Sequence, residues 1–232
     1  MDVYWLEQTA SDLPGGDEWL SGSERARLDG LRIPKRRADW RLGRWTAKCA
    51  VSRYLNLPRD PRVMAAIELR PANSGAPEVF LRGWSVPVTL SLSHSGGAGL
   101  CAIAPAGVEV GCDLETIEPH SPAFLADYFT AEEQDLVGRT AGADRDLIVT
   151  LLWSGKESTL KALRCGLRAD TREVTVAPAD FLETRGEAWR RLCAGHISGR
   201  TFCGWWRVSG DLVRTMVADP FADVVAVGRL PS

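Results

Sequence analysis

The fold is decided by the stretch Val108-Glu109-Val110-Gly111-Cys112-Asp113-Leu114-Glu115. Successive side chains of a strand point to opposite faces, so this alternation predicts a β-strand with one apolar face. Asp113 and Glu115 share the other face near the strand end, where two carboxylates repel each other unless a cation or a proton lies between them. Hard oxygen ligands of this kind suit Mg²⁺. The pattern therefore predicts a magnesium site, with an exposed acidic strand end as the alternative.

The chain around this strand is organised as helices followed by strands, twice. Before it, the periodicity predicts a strand at Val3–Leu6, helices at Ser21–Leu31 and about Arg36–Leu55 with Pro34 as an interruption, and strands at Ile67–Arg70, Val88–Leu92 and Gly99–Ala104. After it come helices at Phe129–Val137 and Asp144–Leu163 and strands at Glu173–Val176, Thr201–Val208, Leu212–Ala218 and Val224–Val227. This order predicts an α+β protein of two subdomains, residues 1–106 and 107–232, each an antiparallel sheet with helices on one face.

The composition is that of a soluble globular protein. Of 232 residues, 45% are hydrophobic and 25% charged, and the net charge of −2 gives no global attraction to nucleic acid or to an anionic membrane. No apolar run is long enough to cross a bilayer, and the acidic segment Met1–Trp19 does not resemble a signal peptide, so we expect a cytoplasmic protein. The six cysteines lack a Cys-x-x-Cys pair, which favours small buried hydrophobic residues over a zinc site or a disulfide framework.

A basic segment precedes the central strand. On a helix, Arg37, Arg41, Arg44 and Lys48 form one stripe, because they are spaced four, three and four residues apart. Guanidinium groups bind phosphate in a bidentate manner, so a phosphate-bearing ligand is one interpretation. A solvated basic face is the other.

Two further segments carry polar groups that suit a phosphate. Ser91-Leu92-Ser93-His94-Ser95-Gly96-Gly97 follows a strand, and its hydroxyls, backbone N–H groups and histidine could cradle a phosphate, although a polar hairpin turn has the same composition. In Trp153-Ser154-Gly155-Lys156-Glu157-Ser158-Thr159-Leu160-Lys161, Glu157 and Lys161 lie one helical turn apart. They are either a simple ion pair or a third metal carboxylate followed by a cation for a phosphate.

Taken together and in this order, the motifs resemble those of a known family. Gly111-x-Asp113-x-Glu115, followed by Trp153-x-x-Lys156-Glu157-x-x-x-Lys161-Ala162, is similar to the signature of the 4′-phosphopantetheinyl transferase superfamily. The Ser93-His94-Ser95 turn, the Phe129-Thr130-x-x-Glu133 segment and the basic segment from Arg36 to Lys48 also resemble that family. Length and two-part organisation resemble its Sfp-type branch of monomeric pseudodimers.

The resemblance implies two similar subdomains related by a pseudo-twofold axis, the first contacting nucleotide and phosphate and the second carrying the magnesium site. It implies transfer of 4′-phosphopantetheine from coenzyme A to a serine of an apo acyl, peptidyl or aryl carrier protein, with Mg²⁺ as cofactor. The implied magnesium ligands are Asp113, Glu115 and Glu157, and Asp113, Glu157 and Lys161 are the implied catalytic residues. The implied contacts to coenzyme A are made by Arg36, Arg44, Ser93, His94 and Lys161.

Several points stay open at this stage. The helical spacing favours Arg37 beside Arg44, whereas the family spacing favours Arg36, and we expect Pro34 to leave Arg36 in the loop before the helix. The family often carries a basic residue in a Gly-Lys/Arg-Pro loop, which here reads Gly75-Ala76-Pro77. We expect that nucleotide contact to be either lost or made by another residue, such as Arg70 or Arg82. The alternative functions are a magnesium-dependent phosphohydrolase on a nucleotide-like metabolite and a non-catalytic coenzyme A binding module.

Overall fold

Each half of the chain places a long helix against an antiparallel sheet. The computed structural model describes residues 2–165, 169–179, 181, 188–220 and 228–229. Two compact units are formed, Met1–Val108 and Glu109–Phe221, and the C-terminal strand belongs with the first.

The first unit contains two sheets. Its elements are β1 (Tyr4–Thr9), α1 (Gly22–Asp29), α2 (Pro34–Tyr54), α3 (Pro61–Ala66), β2 (Ile67–Pro71), β3 (Pro77–Leu81), β4 (Trp84–Ser85), β5 (Val88–Ser95) and β6 (Ala98–Pro105). The strand order is β12-β1-β6-β5 in one sheet, where β12 is Gly228–Arg229 and pairs with β1 in parallel, and β2-β3-β4 in the other. Helix α2 packs on β1, β5 and β6.

The second unit has one five-stranded antiparallel sheet. Its elements are β7 (Glu109–Thr116), α4 (Pro122–Tyr128), α5 (Ala131–Arg139), α6 (Ala143–Ala162), β8 (Val174–Pro178), β9 (Arg190–His196), β10 (Thr201–Ser209) and β11 (Leu212–Asp219). The strand order is β7-β11-β10-β9-β8, so β7 and β8 are the edges. Helix α6 packs on β7, β11 and β8.

The α+β prediction and most of the predicted elements are confirmed. Pro34, expected to interrupt, instead occupies the first turn of α2, where its missing N–H has no partner in any helix. Asn56, in the left-handed conformation, and the bond from the Leu57 N–H to the Ser52 carbonyl (2.7 Å) end the helix. Helices α3 and α4 and strands β3, β4 and β9 were not predicted. The predicted strand Val224–Val227 lies outside the described residues.

A buried ion pair ties α2 to α1 in the first unit. Ser21 caps α1, and the carboxylate of Glu24 returns to the Ser21 N–H (3.0 Å) while lying 2.5 Å from Lys48 Nζ. The Lys48 side chain has no exposed surface, and its ammonium also donates to the carbonyls of Trp19 (3.1 Å) and Met64 (2.9 Å). Three acceptors therefore satisfy the three ammonium donors, which is what a buried charge requires.

The second unit repeats this arrangement with different residues. Thr130 caps α5, and Glu133 returns to the Thr130 N–H (2.9 Å) and pairs with Lys156 Nζ (2.7 Å). The fully buried Lys156 also donates to the carbonyls of Thr171 (3.0 Å) and Val174. The second oxygen of each glutamate accepts a strand N–H, from Leu69 of β2 at 3.4 Å and from Val176 of β8 at 2.9 Å.

We call this set of contacts the lysine–glutamate node. In both units the lysine ammonium also lies over an aromatic ring that precedes the cap, Trp19 at 5.8 Å and Phe129 at 5.7 Å. The two subdomains are therefore similar at the level of individual contacts. Within the described residues, no helix combines the length and apolar character that a membrane crossing requires.

The node makes a prediction for stability. Replacing Glu133 by Gln leaves the Lys156 ammonium buried without its counter-charge, which costs about 3–5 kcal/mol when a buried pair loses one partner. The control is Asp135→Asn, which breaks the exposed pair with Arg139 on the same helix and should cost less than about 1 kcal/mol. Urea unfolding of both variants measures the difference, and equal losses would contradict the role of the node.

Candidate active site

The two acidic residues of β7 lie where the alternation predicted. Asp113 pairs in register with Thr215 and Glu115 with Val213 of β11. Asp113 is 2% exposed and Glu115 is half-buried, so the alternative of an exposed acidic strand end is wrong. Two carboxylates held in a partly dehydrated place need a cation or a proton to offset their repulsion.

The backbones of helix α6 and strand β7 are in close contact at Gly111. A Cβ placed on Gly111 would lie 1.8 Å from the Ser158 carbonyl oxygen and 2.7 Å from the Ala162 nitrogen, so only glycine fits there. Beside this contact, the hydroxyl of Thr215 on β11 bonds to the hydroxyls of Ser154 (2.9 Å) and Ser158 (2.7 Å) on α6. The glycine of the Gly-x-Asp-x-Glu motif thus sets the distance between strand and helix.

This close approach brings Lys161 onto the acids. Its Nζ lies 2.6 Å from Asp113 Oδ1, 3.2 Å from the Cys112 carbonyl and 3.9 Å from Glu157 Oε2. Burial alone would lower the pKa of Lys161, but the charge of Asp113, together with Cys112 and Glu157, outweighs it and the pKa is raised. The lysine therefore carries its charge at neutral pH, and a quarter of its side chain is exposed.

The carboxylates influence one another strongly. Burial is the main reason that the pKa of Glu115 is raised to about 7, and the negative charges of Asp113 and, to a smaller extent, Glu157 add to this effect. The positive charge of Lys161 and a hydrogen bond from Trp153 oppose it. Burial and Asp113 also raise the pKa of Glu157. The site thus concentrates more negative charge than its one lysine offsets. The contact between Trp153 and Glu115 was not foreseen from the sequence, because it joins residues far apart in the chain.

The donor chemistry suits Mg²⁺. The three carboxylates supply hard oxygens, and their mutual repulsion is of the kind a divalent cation relieves. Among the described residues, no group of three Asp, Glu, His or Cys side chains is arranged so that it encloses a metal ion. The Lys161 ammonium lies beside Asp113 Oδ1 and supplies positive charge to the group of acids.

The basic stripe on α2 is not a phosphate-binding face as a whole. Arg37 donates to the Leu28 carbonyl (2.6 Å), Arg41 pairs with Asp17 (2.8 Å), and Lys48 belongs to the lysine–glutamate node. These three cations hold the first unit together. Spacing alone could not show this, because their partners lie on other segments of the chain.

The other two α2 arginines named from the sequence as phosphate contacts are Arg36 and Arg44. Arg36 lies within the first turn of α2, not in the preceding loop, and is exposed. Arg44 is half-buried over the Trp40 ring (5.1 Å), and its Nε has no hydrogen-bond partner in the described part of the chain. Burial lowers the pKa of Arg44 and the charge of Arg27 lowers it further, while the charge of Glu24 opposes both effects. An anion near Arg44 would favour its charged form.

The expected phosphate turn is the end of a hairpin. Ser93 and His94 lie on β5, where His94 pairs with Gly99 of β6 and is exposed, and the turn itself is Gly96-Gly97. Gly75 forms the turn between β2 and β3, with φ of 90°. Of the two suggested replacements for its missing cation, Arg70 is already paired with Glu68 (2.9 Å) and stacked on Phe80. Arg82 is exposed in the β3–β4 turn.

The site residues of the second unit fall within a region that is similar to known proteins. Residues 109–211 match the family model of the 4′-phosphopantetheinyl transferase superfamily. A protein of Synechocystis sp., whose name marks it as an inferred 4′-phosphopantetheinyl transferase, is 26% identical over 196 residues. That alignment covers 80% of this chain and 76% of the relative.

Gly111 provides a test of the site's construction. Gly111→Ala should force α6 away from β7, since the added Cβ meets backbone atoms that cannot rotate aside, and overpacking of this kind costs about 1–3 kcal/mol. Gly138→Ala on α5 is the matched control, because a Cβ there meets nothing within 4 Å. Thermal unfolding should show a lowered Tm for the first variant only, and an unchanged Tm for Gly111→Ala would refute the close contact.

Proposed function

We propose that the chain, of which residues 109–211 match the 4′-phosphopantetheinyl transferase superfamily, transfers 4′-phosphopantetheine from coenzyme A to a serine of an apo carrier protein. One observation supports this most directly, the meeting of Asp113, Glu115, Glu157 and Lys161 on β7 and α6. Three carboxylates and one lysine are the charges that a metal-bound pyrophosphate needs. Acyl, peptidyl and aryl carrier domains are all candidate acceptors.

Each residue of the site has a proposed role. Asp113, Glu115 and Glu157 would hold Mg²⁺, which would neutralise negative charge that develops on the pyrophosphate. Lys161, now 2.6 Å from Asp113, turns to the phosphate oxygens and offers them a fixed positive charge. Glu157 lies one helical turn from Lys161 and accepts the proton of the carrier serine as its oxygen attacks the β-phosphate. The leaving group is 3′,5′-adenosine bisphosphate.

The first unit supplies the nucleotide contacts in this proposal. Arg44 has a half-buried guanidinium whose Nε lacks a hydrogen-bond partner among the described residues, and Arg36 is exposed about two turns earlier on the same helix. We assign both to the 3′-phosphate, with Ser93 and His94 as further phosphate contacts. Arg37 is excluded because its guanidinium is engaged with the Leu28 carbonyl and Asp29.

A mass measurement tests the reaction. The protein is incubated with Mg²⁺, coenzyme A and an apo carrier protein, and the carrier is then weighed. Gain of one phosphopantetheine on the serine, abolished by a chelator, is the expected result. Consumption of coenzyme A without a carrier would instead indicate a phosphohydrolase, and binding without consumption a non-catalytic module.

Variants of α6 test the proposed roles. Glu157→Gln should lower the transfer rate by about 10²-fold or more, because it removes the proton acceptor and one proposed magnesium ligand. Lys161→Ala should lower the rate by removing the positive charge at the phosphate. Asp135→Asn, on the exposed face of α5, should transfer at the normal rate. Circular dichroism confirms folding of each variant, and a normal rate for Glu157→Gln would refute its role.

Two neighbouring arginines test the nucleotide contacts. Arg36→Ala should raise the KM for coenzyme A by about tenfold or more, the cost of one charge-assisted hydrogen bond, whereas Arg37→Ala should lower the Tm and leave the KM unchanged. With 3′-dephospho-coenzyme A, the Arg36→Ala and wild-type proteins should have similar KM values. An Arg36→Ala defect that persists with this substrate would contradict contact with the 3′-phosphate.

A further inference from the structure

Two cysteines face each other across the β9–β10 hairpin. Cys193 of β9 is paired in register with Cys203 of β10, and neither belongs to the candidate active site. Both are free thiols; Cys193 is exposed and Cys203 is half-buried. This departs from the expectation that the cysteines are small buried hydrophobic residues, which is correct for Cys49, Cys101 and Cys112.

The hydrogen bonds of the hairpin determine how closely the two side chains approach. At the turn, the His196 N–H donates to the Arg200 carbonyl (2.9 Å), so His196 directs its backbone groups toward β10. On the opposite side of β9, the Arg191 carbonyl accepts from the Ala179 N–H (3.0 Å). Because these directions alternate along a strand, Cys193, two residues from Arg191, directs its backbone groups away from β10.

Cys193 and Cys203 are therefore a non-hydrogen-bonded cross-strand pair. In such pairs the Cα atoms are about 4.5 Å apart, compared with about 5.5 Å in hydrogen-bonded pairs. A disulfide accepts Cα separations from about 4.4 Å and needs the Cβ atoms within about 4.5 Å, which favours the closer type of pair. The pKa of Cys203 also reflects this proximity, since burial raises it first and the Cys193 thiol raises it further.

We infer that Cys193 and Cys203 are a reversible oxidation site that forms a cross-strand disulfide by exchange with a small-molecule disulfide such as oxidised glutathione. The exposed Cys193 thiolate attacks a glutathione sulfur and releases one reduced glutathione. The Cys203 thiolate then attacks the Cys193 sulfur of the mixed disulfide and releases the second. The two cysteines lose two protons and two electrons, and the electrons reduce the glutathione disulfide to two thiols.

The position of the pair makes the bond easy to form and to reduce. Exposed disulfides exchange faster than buried ones, and a bond between strands already in register requires little movement of the backbone. The bond would link β9 to β10 beside the hairpin turn, far in sequence from Asp113 and Glu157.

Peptide mapping after oxidation tests this site. The folded protein is incubated with oxidised glutathione, its remaining thiols are alkylated in denaturant, and it is digested with trypsin. Cleavage after Arg191, Arg200 and Arg207 places Cys193 in residues 192–200 and Cys203 in residues 201–207. We expect these two peptides joined by a disulfide, a fall from six alkylated thiols to four, and a return to six after dithiothreitol.

Single variants distinguish the pair from general thiol oxidation. Cys193→Ser and Cys203→Ser should each abolish the internal disulfide, whereas Cys165→Ser, which removes another partly exposed cysteine, should leave it intact. The oxidised wild-type protein should also have a higher Tm than the reduced form. Recovery of both cysteines only as separate glutathione adducts, as free thiols, or in disulfides with Cys165 would overturn the inference.

Discussion

The buried ion pair between Lys156 and Glu133 is the interaction on which the candidate site depends. A charged ammonium with no exposed surface is tolerated only because a carboxylate and two carbonyls take up its three donors. Those acceptors belong to Glu133 on α5 and to Thr171 and Val174 around the start of β8. They fix the position of α6 and also its rotation about its own axis. Glu157 follows the buried lysine directly, and its direction is set by that rotation.

Comparison of the lysine–glutamate nodes in the two units distinguishes the residues that stabilise the fold from those that could take part in a reaction. Lys48 and Glu24 form equivalent contacts, yet the residue after Lys48 is Cys49, and the residue five positions on is Arg53. In the second unit these positions carry Glu157 and Lys161. The node therefore stabilises both subdomains. A cation follows five positions later in each unit, whereas the acid directly after the lysine is present only in the second.

Local features of the structure could be predicted, and those that depend on distant partners could not. The alternation at Asp113 and the helix starts near Ser21 and Phe129 depend on residues close together in the chain, so the sequence was sufficient to predict them. The interpretation of the α2 stripe was wrong for Arg41 and Lys48 because their acidic partners, Asp17 and Glu24, lie on other segments. The sequence Trp-x-x-Lys occurs at residues 45–48 and 153–156, but we did not predict a residue-level repeat, because the two lysines correspond only through their contacts with Glu24 and Glu133.

The contact of Gly111 with α6 has a consequence for how this protein can change over time. The spacing between helix and strand is set by backbone atoms on both sides, so it does not depend on the volume of any neighbouring side chain. Any larger residue at position 111 would therefore shift α6 away from β7 and alter the separation of the acids that these two elements carry. A descendant of this protein that keeps the geometry of the site has to keep this glycine.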